Sequence, residues 1–179
     1  MLKIEEPAEY LFDKARVGLL EIKNQPSPFD ISAAKKGAEY ALKNFEGYLD
    51  YVKQNKSQEQ PEGRVPCTTF WLFDDEKFIG VFDVRHYLTE HLRQIGGHIA
   101  YEVVPSERGK GYVLRGLRLI LDWCLNNLNL GEVLLFCNEQ NERSHRVLEK
   151  ALGEFGGRRL PHHEADGRIE CGYWLKTGK

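Results

Sequence analysis

The stretch Ile99-Ala100-Tyr101-Glu102-Val103-Val104-Pro105-Ser106-Glu107-Arg108-Gly109-Lys110-Gly111-Tyr112-Val113-Leu114 decides the fold. An apolar run gives way to a proline and two glycines. A segment follows in which Val113, Leu114, Leu117, Ile120, Leu121, Cys124 and Leu128 recur every three or four residues. The order is strand, glycine loop, helix. Glycines let a backbone approach a ligand, and the first amides of a helix have no intrachain acceptor. The helix adds about half a positive charge at that end, so Arg108-Gly109-Lys110-Gly111-Tyr112 reads as an anion site suited to a pyrophosphate. Between Arg108 and Leu121 four residues are basic (Arg108, Lys110, Arg115, Arg118) and none is acidic, in a chain of net charge −2. The plain alternative is a glycine turn beside a solvated basic helix face.

Working outward, residues 133–137 form a short apolar run typical of a strand buried on both faces. Residues 141–152 carry Val147, Leu148, Ala151 and Leu152 at helical spacing, and residues 168–176 alternate as a last strand. Upstream, residues 68–73 and 78–84 flank the polar turn Asp74-Asp75-Glu76-Lys77, an antiparallel hairpin. Residues 7–23 read as an amphipathic helix ended by a proline-containing loop at 25–28. A longer helix, capped by Asp30 or Ser32, then carries Ala34, Ala38, Ala41, Leu42, Phe45, Leu49 and Val52 on one stripe. Residues 53–63 are polar and aperiodic, an exposed loop. The class is mixed α and β: one domain over 1–179, with N-terminal helices over 1–55 and a core over 64–179.

A chain of 179 residues that is 41% hydrophobic and 29% charged suits an ordinary globular domain, which excludes a disordered or fibrous class. Its slightly acidic balance argues against non-specific nucleic-acid binding. With no basic-then-apolar leader and no apolar run near the roughly 18 residues a membrane helix needs, a cytoplasmic protein without a membrane partner is expected. Cys67, Cys124, Cys137 and Cys171 are widely spaced without a Cys-x-x-Cys pair and read as free thiols. His86, His91 and His98 fit no ligand spacing, and His162-His163 lies in a loop, so no metal is assigned.

The glycine loop fits neither the NTP pattern Gly-x4-Gly-Lys-Ser/Thr nor the dinucleotide pattern Gly-x-Gly-x-x-Gly. It resembles the signature of the GNAT acyltransferases, Arg/Gln-x-x-Gly-x-Gly/Ala between a strand and a helix, as Arg108-Gly109-Lys110-Gly111-Tyr112-Val113, with Val113 at the last place. A second element of that family, Asn-x-x-Ser/Ala at the start of the next helix, is matched by Asn141-Glu142-Arg143-Ser144. The stretches 65–72, 84–88 and 96–101 extend the likeness to a bacterial group of that family known only as predicted acetyltransferases.

The resemblance implies a GNAT fold, a mostly antiparallel sheet with splayed middle strands. It also implies acetyl-CoA as co-substrate, held by the glycine loop and by Asn141 and Ser144, and direct transfer to a primary amine without a covalent enzyme intermediate. Backbone amides near Val103 and Val104 would stabilise the oxyanion. Glu102 is the first candidate base, a carboxylate in an otherwise apolar run, with His98 and His86 as alternatives. The family's tyrosine acid, seven residues after Asn141, is replaced by Leu148; Tyr101, Tyr112 and Tyr173 are substitutes to weigh. Two other readings stay open: an acyl-CoA sensor without turnover, and an interaction module whose long helix docks a partner or a second copy as a homodimer.

Overall fold

The computed structural model describes residues 1–26 and 33–178. In chain order the elements are β1 (Leu2–Glu5), α1 (Phe12–Asn24), α2 (Ala33–Lys43), α3 (Phe45–Lys56), β2 (Cys67–Asp74) and β3 (Lys77–Arg85), followed by α4 (Glu90–Gln94) and β4 (Ile99–Val103). Then come α5 (Tyr112–Leu128), β5 (Glu132–Asn138), α6 (Glu142–Phe155), β6 (Gly157–Arg159), β7 (His163–Ala165) and β8 (Arg168–Lys176). The hairpin of β2 and β3 turns at Asp75, whose φ is 52°, a value that Asp tolerates in turns. The strands form two sheets, one ordered β1-β2-β3-β4 and the other β5-β8-β6 with β7 on β8, all paired antiparallel.

The sheets meet at β4 and β5 without forming a ladder. Gly97 and Leu135 make one isolated bridge, and the amide of His98 donates to the carbonyl of Leu134 at 2.6 Å. Gly97 has φ +64°, and a Cβ there would stand 2.3 Å from the Leu134 oxygen, so only glycine lets the chains touch. Beyond this point β4 and β5 separate.

Period-two alternation sends Phe70, Leu72, Phe82, Val84, Ile99 and Val103 into one core with α5 and α6. It sends Trp71, Phe73 and Val81 into a second core under α1, α2 and α3, and the register shift at Leu72/Phe73 brings Phe78 to the same side. Trp71 is fully buried, its ring centroid 5.4 Å from Phe78, 5.9 Å from Phe45 and 6.1 Å from Tyr48.

The single long helix expected from residue 30 is two helices. At Asn44 the backbone leaves the helical region (φ −152°, ψ 90°) and its Oδ1 accepts the Gly47 amide at 3.1 Å, capping α3. The apolar stripe runs across the break because both helices cover the same core. The proposed caps Asp30 and Ser32 lie outside the described residues. The expected loop at 53–63 begins as helix, since α3 extends to Lys56. β1, α4, β6 and β7 are too short to show a period, and His163 opens β7 rather than lying in a loop.

Replacing Trp71 by Ala is expected to cost about 3–5 kcal/mol. Urea denaturation should show a lower midpoint at unchanged slope.

Candidate functional site

From β4 the chain passes through one tight turn, Pro105–Glu107, into the glycine loop and α5. Gly109 and Gly111 have φ of +79° and +77°, and a Cβ at either would meet nothing within 4 Å. The glycines are there for the left-handed backbone, and they leave an open cradle on their outer side. α3, α4 and α6 are capped by the side chains of Asn44, Thr89 and Asn141, whereas α5 starts at Gly111 with no side-chain cap and no acidic residue in its first turn. Among the described residues, no acceptor faces the amides of Gly109, Lys110 and Gly111, or those of Tyr112, Val113 and Leu114. A run of free amides at a helix N-terminus is an anion receptor.

The basic side chains behave differently from what their local density suggests. Each of the four has a carboxylate beside it: Glu102, Glu107, Asp74 or Glu154. Arg118 pairs with Glu154, and Arg115 lies 3.9 Å from Asp74, which also accepts the Tyr112 hydroxyl at 3.1 Å. Lys110 meets Glu107 at 3.0 Å. Glu107 is only 3% exposed; its other oxygen takes Lys77 at 2.5 Å, and the Lys77 ammonium in particular holds its carboxyl below the usual range. The Arg108 guanidinium turns inward: Nε donates to the Val103 carbonyl at 3.2 Å, and Nη2 donates to Glu102 at 2.8 Å and to the Gln25 side chain. The amides, more than the side chains, therefore make this site attractive to an anion.

The gap between β4 and β5 is lined by backbone. Alternation in the β3–β4 ladder turns the His98 carbonyl and the groups of Ala100, Glu102 and Val104 toward β3, and those of Tyr101 and Val103 toward the gap. The Val104 amide, expected as an oxyanion donor, already donates to Ile79 O at 2.9 Å. Val103 keeps its place, and Tyr101 joins it. The Tyr101 hydroxyl crosses the gap to Ser144 Oγ at 2.8 Å, and burial pushes this phenol up to about 12. Asn141 caps α6 by accepting the Ser144 amide at 3.2 Å. Val113, in the first turn of α5, packs against the core, and Leu148 is fully buried. Tyr173, the other aromatic candidate, is held by Glu149 and His145 at 2.8 and 3.0 Å.

The three candidate bases are not brought together. Glu102 has the Arg108 guanidinium as partner, not the apolar surroundings its sequence run implied. His86 binds the Thr68 hydroxyl at 2.8 Å on the α5 side of the sheet. His98 sits in the seam itself: besides its own amide bond, its Nδ1 accepts the Leu134 amide at 2.9 Å. The residue is 5% exposed, and burial, with Arg93 and Arg85 adding to it, pushes the imidazole down to about 4. Both histidines lie at the closed end of the gap. His98 is five residues from Val103, about 17 Å at strand rise. Sequence reading missed Glu107, Gln25 and the Tyr101–Ser144 contact, since each depends on a partner distant in the chain. Among the described residues, no group of three or more His, Cys, Asp or Glu could hold a metal, and the four cysteines are free thiols. No helix among them is long and apolar enough to cross a membrane.

A family model described as an acetyltransferase (GNAT) domain matches residues 25–153. An uncharacterized N-acetyltransferase, YnaD of Bacillus subtilis (strain 168), is 29% identical over 79 residues, 44% of each chain, so the match spans less than half of that relative. Among solved structures, RimJ of Mycobacterium smegmatis in complex with CoA-disulfide superposes with a TM-score of 0.65 at 17% identity, covering 98% of this chain and 81% of that one. RimL, a ribosomal L7/L12 alpha-N-protein acetyltransferase in complex with coenzyme A, gives 0.63 at 15% identity, covering 98% and 93%. At these identities the likeness is one of fold.

The seam makes stability depend on acidity. The unfolded chain protonates His98 near pH 6.5, but the native protein resists until about pH 4, so stability falls as pH drops through that window and levels off below it. His98 should account for about 3 kcal/mol of that fall. A His98→Asn variant, which keeps an acceptor for the Leu134 amide, should lack that component when urea unfolding is compared at pH 6.5 and 4.

Proposed function

Because the chain belongs to the GNAT acetyltransferase family, we propose that it transfers an acetyl group from acetyl-CoA directly to a primary amine. The uncapped glycine turn at the start of α5 carries this reading. A pyrophosphate seated in that cradle would accept from the amides between Gly109 and Leu114 and supply the cap that α5 lacks. The solved relatives named above are complexes of coenzyme A forms, which supports the same ligand here. A pantetheine arm would run through the gap between β4 and β5, where strand amides have no ladder partner.

In that arrangement the Val103 amide, with Tyr101 beside it, would donate to the thioester oxygen as negative charge develops there. Glu102 keeps the role of base, acting directly or through one water, because it stands on the strand that lines the gap. His98 and His86 are already held at the closed end. The amine loses a proton, its lone pair bonds to the acetyl carbon, and the thiolate of coenzyme A leaves. The enzyme would work in the cytoplasm.

Calorimetry with acetyl-CoA tests the reading. Gly111→Asp sets a negative side chain into the cradle and should weaken binding on the order of 100-fold while the circular dichroism spectrum holds; undiminished binding would remove the glycine turn from the site. Glu102→Gln is expected to lower kcat by about 100-fold or more at unchanged acetyl-CoA affinity. Unaltered turnover would exclude Glu102 as base.

A further inference from the structure

On the face of the first sheet that carries α1, α2 and α3, strand register arranges side chains in rows. Trp71, Val81 and Glu102 make one row, and Trp71 and Val81 are buried under the helices along with Phe73, Phe78 and Val104. The neighbouring row is Thr69, Asp83 and Ala100. Here Asp83 and Ala100 are half-buried. Ala100 has no side chain beyond Cβ to shield its neighbour, and Asp83 stays partly open to solvent. β4 alone separates Asp83 from the gap, a strand spacing of about 4.8 Å.

Asp83 is a carboxylate without a counter-ion. The Thr69 hydroxyl donates to its Oδ1 at 2.6 Å, which fixes the side chain. Among the described residues, no cation stands within ion-pair distance of it. Arg85, two residues along the strand, commits Nη1 to the carbonyls of Gly96 and Gly97 at 3.2 and 2.9 Å. Arg108 is held by Glu102, Val103 and Gln25. Glu102, diagonal to Asp83, is thereby neutralised, while Tyr48 from α3 and Cys67 from β2 are pushed up by burial and stay uncharged. Burial raises the Asp83 carboxyl, against the pull of Thr69 and Arg85. A half-buried carboxylate in this setting is unfavourable unless a positive group joins it.

We propose that Asp83 is the counter-ion for the ammonium group of the acceptor, so the acceptor is a cationic primary amine that binds on the partly exposed surface beside Ala100. This rests on the acetyl-transfer reading above. The ammonium donates to the free Asp83 oxygen on the face that also carries Glu102; once Glu102 has taken a proton, the neutral amine leaves Asp83 and moves past Ala100 into the gap, where its lone pair meets the thioester carbon. The contact is an ion pair with a hydrogen bond and involves no covalent step.

The test uses the full chain. Acetyl-CoA binding is measured by calorimetry, and thiol release is followed with n-butylamine, 1,4-diaminobutane and lysine amide as probes, for the wild type, Asp83→Asn and Asp83→Glu. The expected result for Asp83→Asn is a loss of at least about 100-fold in kcat/KM for the best amine, mainly through KM, with acetyl-CoA affinity within twofold and partial recovery in Asp83→Glu. An amine kcat/KM within threefold of wild type in Asp83→Asn overturns the proposal. So does a wild type that binds acetyl-CoA yet turns over none of the three amines. If acetyl-CoA itself fails to bind, the acetyl-transfer reading falls first. Should Asp83→Asn not fold, the wild type saturated with coenzyme A decides: the Asp83 carboxyl carbon resonance is expected to move with 1,4-diaminobutane and not with 1,4-butanediol. A resonance that ignores the diamine overturns the assignment.

Discussion

Two hydrogen bonds between His98 and Leu134, one from each residue's amide, hold the halves of this molecule together at one end. Everything useful in the gap depends on their being so few. A full ladder between β4 and β5 would use up the amides of Tyr101 and Val103, and without these two bonds the shared apolar core alone would set the spacing of the strands. The seam needs a neutral imidazole, because only unprotonated Nδ1 accepts the Leu134 amide. Burial enforces that state. Gly97 next to it is the steric counterpart, since any side chain there would strike the Leu134 carbonyl.

From that fixed end, each layer positions one part of the chemistry. α5 and α6 pack on one face and bring their N-termini to the open end of the gap, α6 closed by Asn141 and α5 left open. α1 packs on the other face, and its last turns reach the loop before the glycines: Glu21 accepts both the amide and the hydroxyl of Ser106, and Gln25 accepts from Arg108. The glycine loop is thus braced from both sides, although its outer surface is bare. A rigid surround with unsatisfied donors is what preorganised anion binding requires.

How much of this was legible in the sequence depends on distance along the chain. The hairpin, the last strand, α5 and α6 were readable because each carries its own period, and the glycine turn was readable because its residues are contiguous. The break at Asn44 was hidden since the apolar stripe continues through it; only the capping habit of Asn marks the spot. The pairing of Arg108 with Glu102 was hidden for the same physical reason. Local sequence shows one as a loose cation and the other as a carboxylate among apolar neighbours, and only the fold makes them partners. The same applies to the positive field around α5, which Glu107, Asp74 and Glu154 largely balance. Asp83 offered no signal at all, because its want of a counter-ion is a property of three strands in register.

The inward turn of Arg108 bears on what evolution can place there. The GNAT signature opens with Arg or Gln, one charged and one neutral. That pairing is odd if the position exists to attract phosphates, yet it follows directly if the position must supply a planar N–H donor to the carbonyl of the preceding strand. Both side chains can do this, and a lysine, whose ammonium is a compact point charge, cannot present the same flat fork. Selection at the first letter of the motif would then act on the geometry of a strut, and affinity for the nucleotide would be written in the main chain, which sequence comparison reads only through its glycines.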